Sequence, residues 1–255
     1  MTIFESIVLG VVEGITEFLP VSSTGHLILT SSLLGIEHTE FVKTFEIAIQ
    51  FGAILSVVVL YWRSFLDVEV LKRLAAAFLP TAIIGLTAYN FIKAYLLGNE
   101  LVVVAALALG GIALIVFELI HKEHDGFADG LHQITYKQAF LVGIFQSIAI
   151  VPGVSRSAAT ILGGLFLGIR RVSIVEFSFL LAVPTMLAAT VLDLLKTKVA
   201  FTQSEWTALG VGFVVAFLVA LASIVWLLRY VRTHTFIPFG IYRIVIAALF
   251  FFIML

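Results

Sequence analysis

The chain has 255 residues, 61% hydrophobic and 12% charged, with a mean hydropathy of +1.15. Soluble domains carry about 25% charged residues, and there are too few polar side chains here to coat a soluble core, so the composition is that of an integral membrane protein. A net charge of −1 provides no field for nucleic acid, and the lack of cysteine excludes disulfides, thiolate metal sites and cysteine nucleophiles.

The N-terminus, Met1-Thr2-Ile3-Phe4-Glu5, has no basic residue and no small-residue cleavage site, so no removable signal peptide is expected. A first apolar region, about 3–36, is interrupted at Pro20–Gly25. Three unbroken apolar stretches follow: Thr44–Trp62, Ala75–Leu97 and Leu101–Ile120. A second broken region, about 138–169, is interrupted at Pro152–Ser157, and Ile174–Leu195, Thr207–Leu228 and Phe236–Leu255 complete the chain. The six unbroken stretches meet the requirement of about 20 apolar residues for a span. Each side of a break offers only about 11 to 16, too short to cross alone. The polar residues after each proline leave non-helical backbone, which hydrocarbon tolerates only where it lines a cavity. Both broken regions are therefore read as re-entrant hairpins, with kinked full-length spans as the alternative.

The two breaks match. At a shift of 133, Gly10 falls on Gly143, Glu13 on Gln146, Val21 on Val154, Ser22 on Ser155 and Thr24 on Ser157; Glu46 falls on Glu176 at a shift of 130. Each half reads as one hairpin followed by three spans, and an odd number of spans inverts the second half. The expected fold is an all-α polytopic membrane protein, a single integral membrane domain over 1–255. It has two inverted-topology repeats, about 1–130 and about 131–255, whose site lies where the broken segments meet. This topology puts Arg63, Lys72, Arg73, Lys122, Lys137, Arg170, Arg171, Arg229 and Arg232 on one side, and Lys43, Lys93, Lys196 and Lys198 on the other. The first side is expected to be cytoplasmic, so the first hairpin opens outward.

Polar groups at this depth are functional by default. Glu13 and Glu17 share one helix face, and two such carboxylates repel unless a cation or a shared proton relieves them. A hard divalent cation, Mg2+ or Ca2+, suits them. Ser22, Ser23 and Thr24 resemble a helix start, as do Ser155 and Ser157, and helix starts attract anions. Arg156 needs a partner, either a phosphate gripped by its planar fork or an ion pair with Glu13 or Glu17. His26 is a candidate acid or base. Taken singly, each hydroxyl is more simply a cap or a packing residue. Together the set suits phosphoryl transfer, with the phosphate on a lipid tail.

The segments Glu13-Gly-Ile-Thr-Glu-Phe-Leu-Pro-Val-Ser-Ser-Thr-Gly-His26 and Pro152-Gly-Val-Ser-Arg-Ser157 resemble the two signature motifs of the undecaprenyl-pyrophosphate phosphatases, or bacitracin-resistance proteins. Glu176–Pro184 and Phe236–Arg243 are similar to further stretches of that family. The resemblance implies hydrolysis of undecaprenyl diphosphate to the monophosphate and inorganic phosphate with a divalent cation. The enzyme would recycle the cell-wall carrier lipid in the bacterial cytoplasmic (inner) membrane and confer bacitracin resistance. It carries the family's essential carboxylates onto Glu13 and Glu17 (the metal pair), and its serine, histidine and arginine onto Ser23, His26 and Arg156. Proposals for the family differ over whether the serine or the histidine attacks phosphorus; the preferred nucleophile is Ser23, with His26 or Glu17 as base. Arg156, Ser22, Thr24, Ser155 and Ser157 are expected around the phosphate. One departure is Ala158, where the second motif often has Gly. The implied partners are a polyprenyl diphosphate lipid and the membrane, with a homodimer as the protein assembly to test. A transporter or flippase for a lipid phosphate or ion is the competing class, because broken helices in inverted repeats are also transporter architecture. A purely structural membrane subunit is the third.

Overall fold

In the computed structural model, residues 1–37, 39–96, 99–124, 126–196 and 201–254 are described. They form ten α-helices: α1 (Ile3–Thr16), α2 (Ser23–Leu33), α3 (Glu40–Leu60), α4 (Val68–Tyr95), α5 (Glu100–Ile120), α6 (Tyr136–Ser147), α7 (Arg156–Phe166), α8 (Arg171–Lys196), α9 (Gln203–Tyr230) and α10 (Ile237–Met254). No strand occurs among the described residues. Leu97, Lys198 and Leu255 from the predicted spans and charge count lie outside them.

Among the described residues, five helices are long and apolar enough to cross a membrane: α3, α4, α5, α8 and α9. The sixth predicted span corresponds to α10, which contains the apolar stretch Ile237–Ile253. Many large apolar side chains point outward, including Leu86 at 67% and Leu109 at 67% exposure, as hydrocarbon solvent permits.

Five of the ten helices open conventionally. Thr2, Thr39, Asn99, Thr135 and Thr202 cap α1, α3, α5, α6 and α9 from extended backbone. Their side-chain oxygens satisfy N–H groups that the helix leaves unpaired. The four short helices are the two sides of each break: α1 packs on α2, and α6 on α7.

The halves interlock. α1 lies against α9, and α6 against α4; α3 meets α8, and α5 meets α10. The matched glycines allow two of these approaches. A Cβ at Gly10 would meet the Gly212 carbonyl oxygen of α9 at 2.8 Å, and one at Gly143 would overlap the Ala77 carbonyl oxygen of α4. Between them, Phe18, Leu19 and Val21 of the first turn enter the main core with Phe177, Phe179 and Leu180 of α8. That burial fixes the turn on which the polar residues stand.

Candidate active site

α2 and α7 open differently from the other helices. Their N-caps, Ser22 (φ 73°, ψ 94°) and Ser155 (φ 76°, ψ 115°), are the only non-glycine residues with positive φ among those described. Such backbone costs about 1–3 kcal/mol and persists only where the surroundings enforce it. Each hydroxyl accepts from the backbone N–H three residues on, Gly25 for Ser22 and Ala158 for Ser155. The departure at Ala158 is thus accommodated: it takes the same capping bond that Gly25 takes, and is buried.

The two turns touch. Ser157 Oγ donates to the Leu19 carbonyl at 2.8 Å. Arg156 crosses from the second turn to the first, its Nη2 2.7 Å from Glu17 Oε1. Its Nη1 donates to the Ser178 carbonyl, the guanidinium lies over the Phe18 ring, and its Nε is buried without a partner. The other oxygen of Glu17, Oε2, accepts from Ser23 Oγ at 2.5 Å. A serine hydroxyl, a carboxylate and a guanidinium therefore form one continuous chain across the halves. Serine on a carboxylate base is the arrangement of an activated nucleophile, and a guanidinium with an unused donor is one that can take an oxyanion.

These three side chains border a cavity of about 220 Å³. Ser22, Thr24 and Ser155 line it too, together with Gln50, Thr81, Gln146 and Thr185. Glu13, His26 and Ser157 are not among its lining residues. His26 is buried beneath the turn, its Nδ1 2.7 Å from the Ser22 carbonyl and its Nε2 2.8 Å from the Tyr242 hydroxyl. A carbonyl only accepts, so Nδ1 carries the proton and Nε2 of the neutral ring accepts from Tyr242. Of the two bases considered for Ser23, Glu17 makes the contact.

Glu13 is fully buried and neither of its oxygens has a hydrogen-bond partner. Glu17 and Glu46 lie close enough to repel it, and Arg156 to attract it; Glu46 Oε1 is also unpartnered. Among the described residues no three His, Asp or Glu side chains form a protein-only metal cage. The orphaned carboxylate oxygens nevertheless fit a hard divalent cation of the kind that takes one or two carboxylates and completes its shell with water and phosphate.

Besides Gln50, Thr81, Gln146 and Thr185 in the cavity wall, two contributors outside it were not assigned a site role from sequence. Tyr242 is one, through His26. The other is Arg243, fully buried, whose five N–H groups all meet carbonyls. Nε donates to Leu107, Nη1 to Pro20 and Val154, and Nη2 to Ala106 and Gly153. It joins both turns to α5, in a slot that Gly110 leaves open. The available signal was an arginine within an apolar stretch.

The model of the family described as bacitracin resistance protein BacA matches residues 6–249. An undecaprenyl-diphosphatase of Sulfurihydrogenibium sp. (strain YO3AOP1) is 53% identical over 251 residues, covering 98% of this chain and 99% of its own. Namesakes from Aquifex aeolicus (strain VF5) and Wolinella succinogenes are 52% identical over 247 residues and 49% over 253. These alignments cover 96% of both the chain and the Aquifex protein, and 99% of the chain with 98% of the Wolinella protein. The chain belongs to the bacitracin resistance family.

Proposed function

We propose that this member of the bacitracin resistance family hydrolyses undecaprenyl diphosphate to undecaprenyl phosphate and inorganic phosphate, with the terminal phosphate seated in the cavity between the two turns. The observation that carries the reading is the Ser23–Glu17–Arg156 chain, which unites a nucleophile, its base and an anion grip from opposite halves. The name shared by the relatives supplies the substrate.

Ser23 Oγ attacks the terminal phosphorus and gives its proton to Glu17. The Oγ–P bond forms as the bond to the bridging oxygen breaks. That electron pair leaves on undecaprenyl phosphate, to which Glu17 passes the proton. Water then attacks the phosphoserine; Glu17 takes a proton from the water and returns it to Ser23 Oγ, releasing inorganic phosphate. Arg156, Ser22, Thr24 and Ser155 hold the phosphate oxygens. Ser157 ties the second turn to the first, and His26, engaged at both nitrogens, supports the turn that presents Ser23. Glu13 and Glu17 would hold a divalent cation, which would supply charge neutralisation for the phosphate when bound.

The membrane arrangement belongs to the same reading: two re-entrant hairpins in inverted repeats. Support comes from the exchange of partners, α1 on α9 and α6 on α4. The matched glycines and the equal φ of Ser22 and Ser155 agree with it. With the arginine-rich side cytoplasmic, the cavity opens outward in the inner membrane. Its lining residues lie mid-span in α3 and α4 (Gln50, Thr81) and in the half of α8 that leads to Lys196.

Phosphate release from a polyprenyl diphosphate by the purified chain tests the reading. Glu17→Ala, Arg156→Ala and Ser23→Ala should each lower turnover by at least about a hundredfold. Unchanged turnover in the three variants would overturn it.

A further inference from the structure

The second half replaces Glu13 by Gln146, and its amide is held in an unusual way. Gln146 is 1% exposed and is among the residues that line the cavity. Its Nε2 donates to Thr81 Oγ1 at 2.9 Å and to Thr185 Oγ1 at 3.1 Å. Each hydroxyl has already committed its own proton, Thr81 to the Gly143 carbonyl and Thr185 to the Leu181 carbonyl. Both can therefore only accept from Gln146, which fixes the amide with NH2 toward the threonines. Both threonines directly follow a proline inside a spanning helix, Pro80 in α4 and Pro184 in α8. The amide oxygen, Oε1, is left buried and without any partner.

A buried acceptor left unmet costs more than its bond returns, so it calls for a donor. The rest of the cavity wall supplies groups for an anion: the Arg156 guanidinium and the hydroxyls of Ser22, Thr24 and Ser155. An ionised oxygen placed against Oε1 would set lone pairs against lone pairs. An oxygen that bears a hydrogen would donate to it.

We infer that Gln146, held by Thr81 and Thr185, is a specificity-determining residue: its Oε1 accepts from a protonated oxygen of the bound phosphate, so the cavity selects phosphate against fully ionised tetrahedral anions such as sulfate. The inference rests on reading the cavity as a phosphate site. It adds a recognition element in the second half, where Gln146 would otherwise serve only to pack α6 between α4 and α8.

The test compares inorganic phosphate with sulfate. At about pH 8 both are mainly dianions, and only phosphate keeps a proton. Arg156 sees the same charge in each, so a difference reports the acceptor. Protection of the purified full-length chain against thermal unfolding should require roughly tenfold less phosphate than sulfate. Gln146→Leu should reduce that preference to less than about threefold by weakening phosphate while leaving sulfate unchanged. Thr185→Val, which loosens the amide, should move the ratio in the same direction. Equal protection of the wild-type chain by the two anions overturns the inference, even if neither variant folds. So does a preference that survives in Gln146→Leu. The binding readout is independent of turnover. Hydrolysis without discrimination defeats this inference alone, and discrimination without hydrolysis defeats the proposed reaction alone.

Discussion

Arg243 and Arg156 bring the same guanidinium into apolar segments, but five carbonyls take every N–H of the first while the second keeps Nε free beside a carboxylate. Complete satisfaction marks Arg243 as a staple; Arg156 keeps a spare donor, which the proposed reaction would use on the phosphate. Lysine at 243 would keep the charge but has three donors on one atom, too few and too compact to reach the Pro20, Gly153, Val154, Ala106 and Leu107 carbonyls together. Each buried group left unmet costs about 1–3 kcal/mol. Arg243→Lys should therefore lower the melting temperature in detergent and cut phosphate release by about tenfold or more, because both turns lose their common anchor. A variant that melts and turns over like the wild type would contradict this. The sequence offered only an arginine within an apolar stretch at 243. It could not reveal that the answer to the charge is carbonyl oxygens on two turns and α5, since nothing in periodicity or spacing encodes those pairings. The same holds for Tyr242 on His26, and for Thr81 and Thr185 on Gln146. An Arg156 ion pair with Glu13 or Glu17 was legible as one alternative, because few counter-charges exist at that depth; the structure pairs it with Glu17.

At the scale of the element, the breaks were visible because proline, hydroxyls and glycine interrupt long apolar runs. Span boundaries were less accurate, for a definite reason. α3 starts at Glu40, ahead of the predicted Thr44, because Thr39 caps it and Glu40 pairs with Lys43 in a polar first turn. α4 starts at Val68, ahead of the predicted Ala75, because Asp67 Oδ1 accepts from the Glu69 and Val70 N–H groups. Apolar content alone misses such interfacial turns. The positive φ of Ser22 and Ser155 was also hidden, since serine at a helix start reads as an ordinary cap. Substitution can separate the cap from the strain. Ser155→Ala removes the acceptor for the Ala158 N–H and keeps a Cβ in a disfavoured region, so it should cost about 1–2 kcal/mol. Ser155→Gly loses the same acceptor but relieves the backbone, and should stay within about 0.5 kcal/mol of wild type. Thermal unfolding of the two variants side by side checks the order. Equal loss in both would mean that the backbone at 155 is not strained.

Across the whole molecule, α1 pairs with α9 and α6 with α4, so each half supplies a wall for the short helix that opens the other. That exchange is what brings Glu17 and Arg156 together, so the site cannot form from one half alone. It also makes topology the property on which access of a lipid phosphate depends. If both hairpins are re-entrant, both ends of the first lie on one face and both ends of the second on the opposite face. Glu37 and Ser204 then share the outer side, while Lys122 and Thr233 share the cytoplasmic side; all four are exposed. The chain has no cysteine, so a single introduced cysteine reports unambiguously. An impermeant maleimide applied to intact cells should label Glu37→Cys and Ser204→Cys, and should reach Lys122→Cys and Thr233→Cys only after the membrane is opened. Kinked full-length spans would each cross the membrane instead, adding a crossing between the N-terminus and Glu37 and another between Lys122 and Arg170. Two such crossings would leave Glu37 and Ser204 on opposite faces. Labelling of only one of that pair from outside therefore rejects the re-entrant arrangement, and joint labelling of both excludes the kinked one.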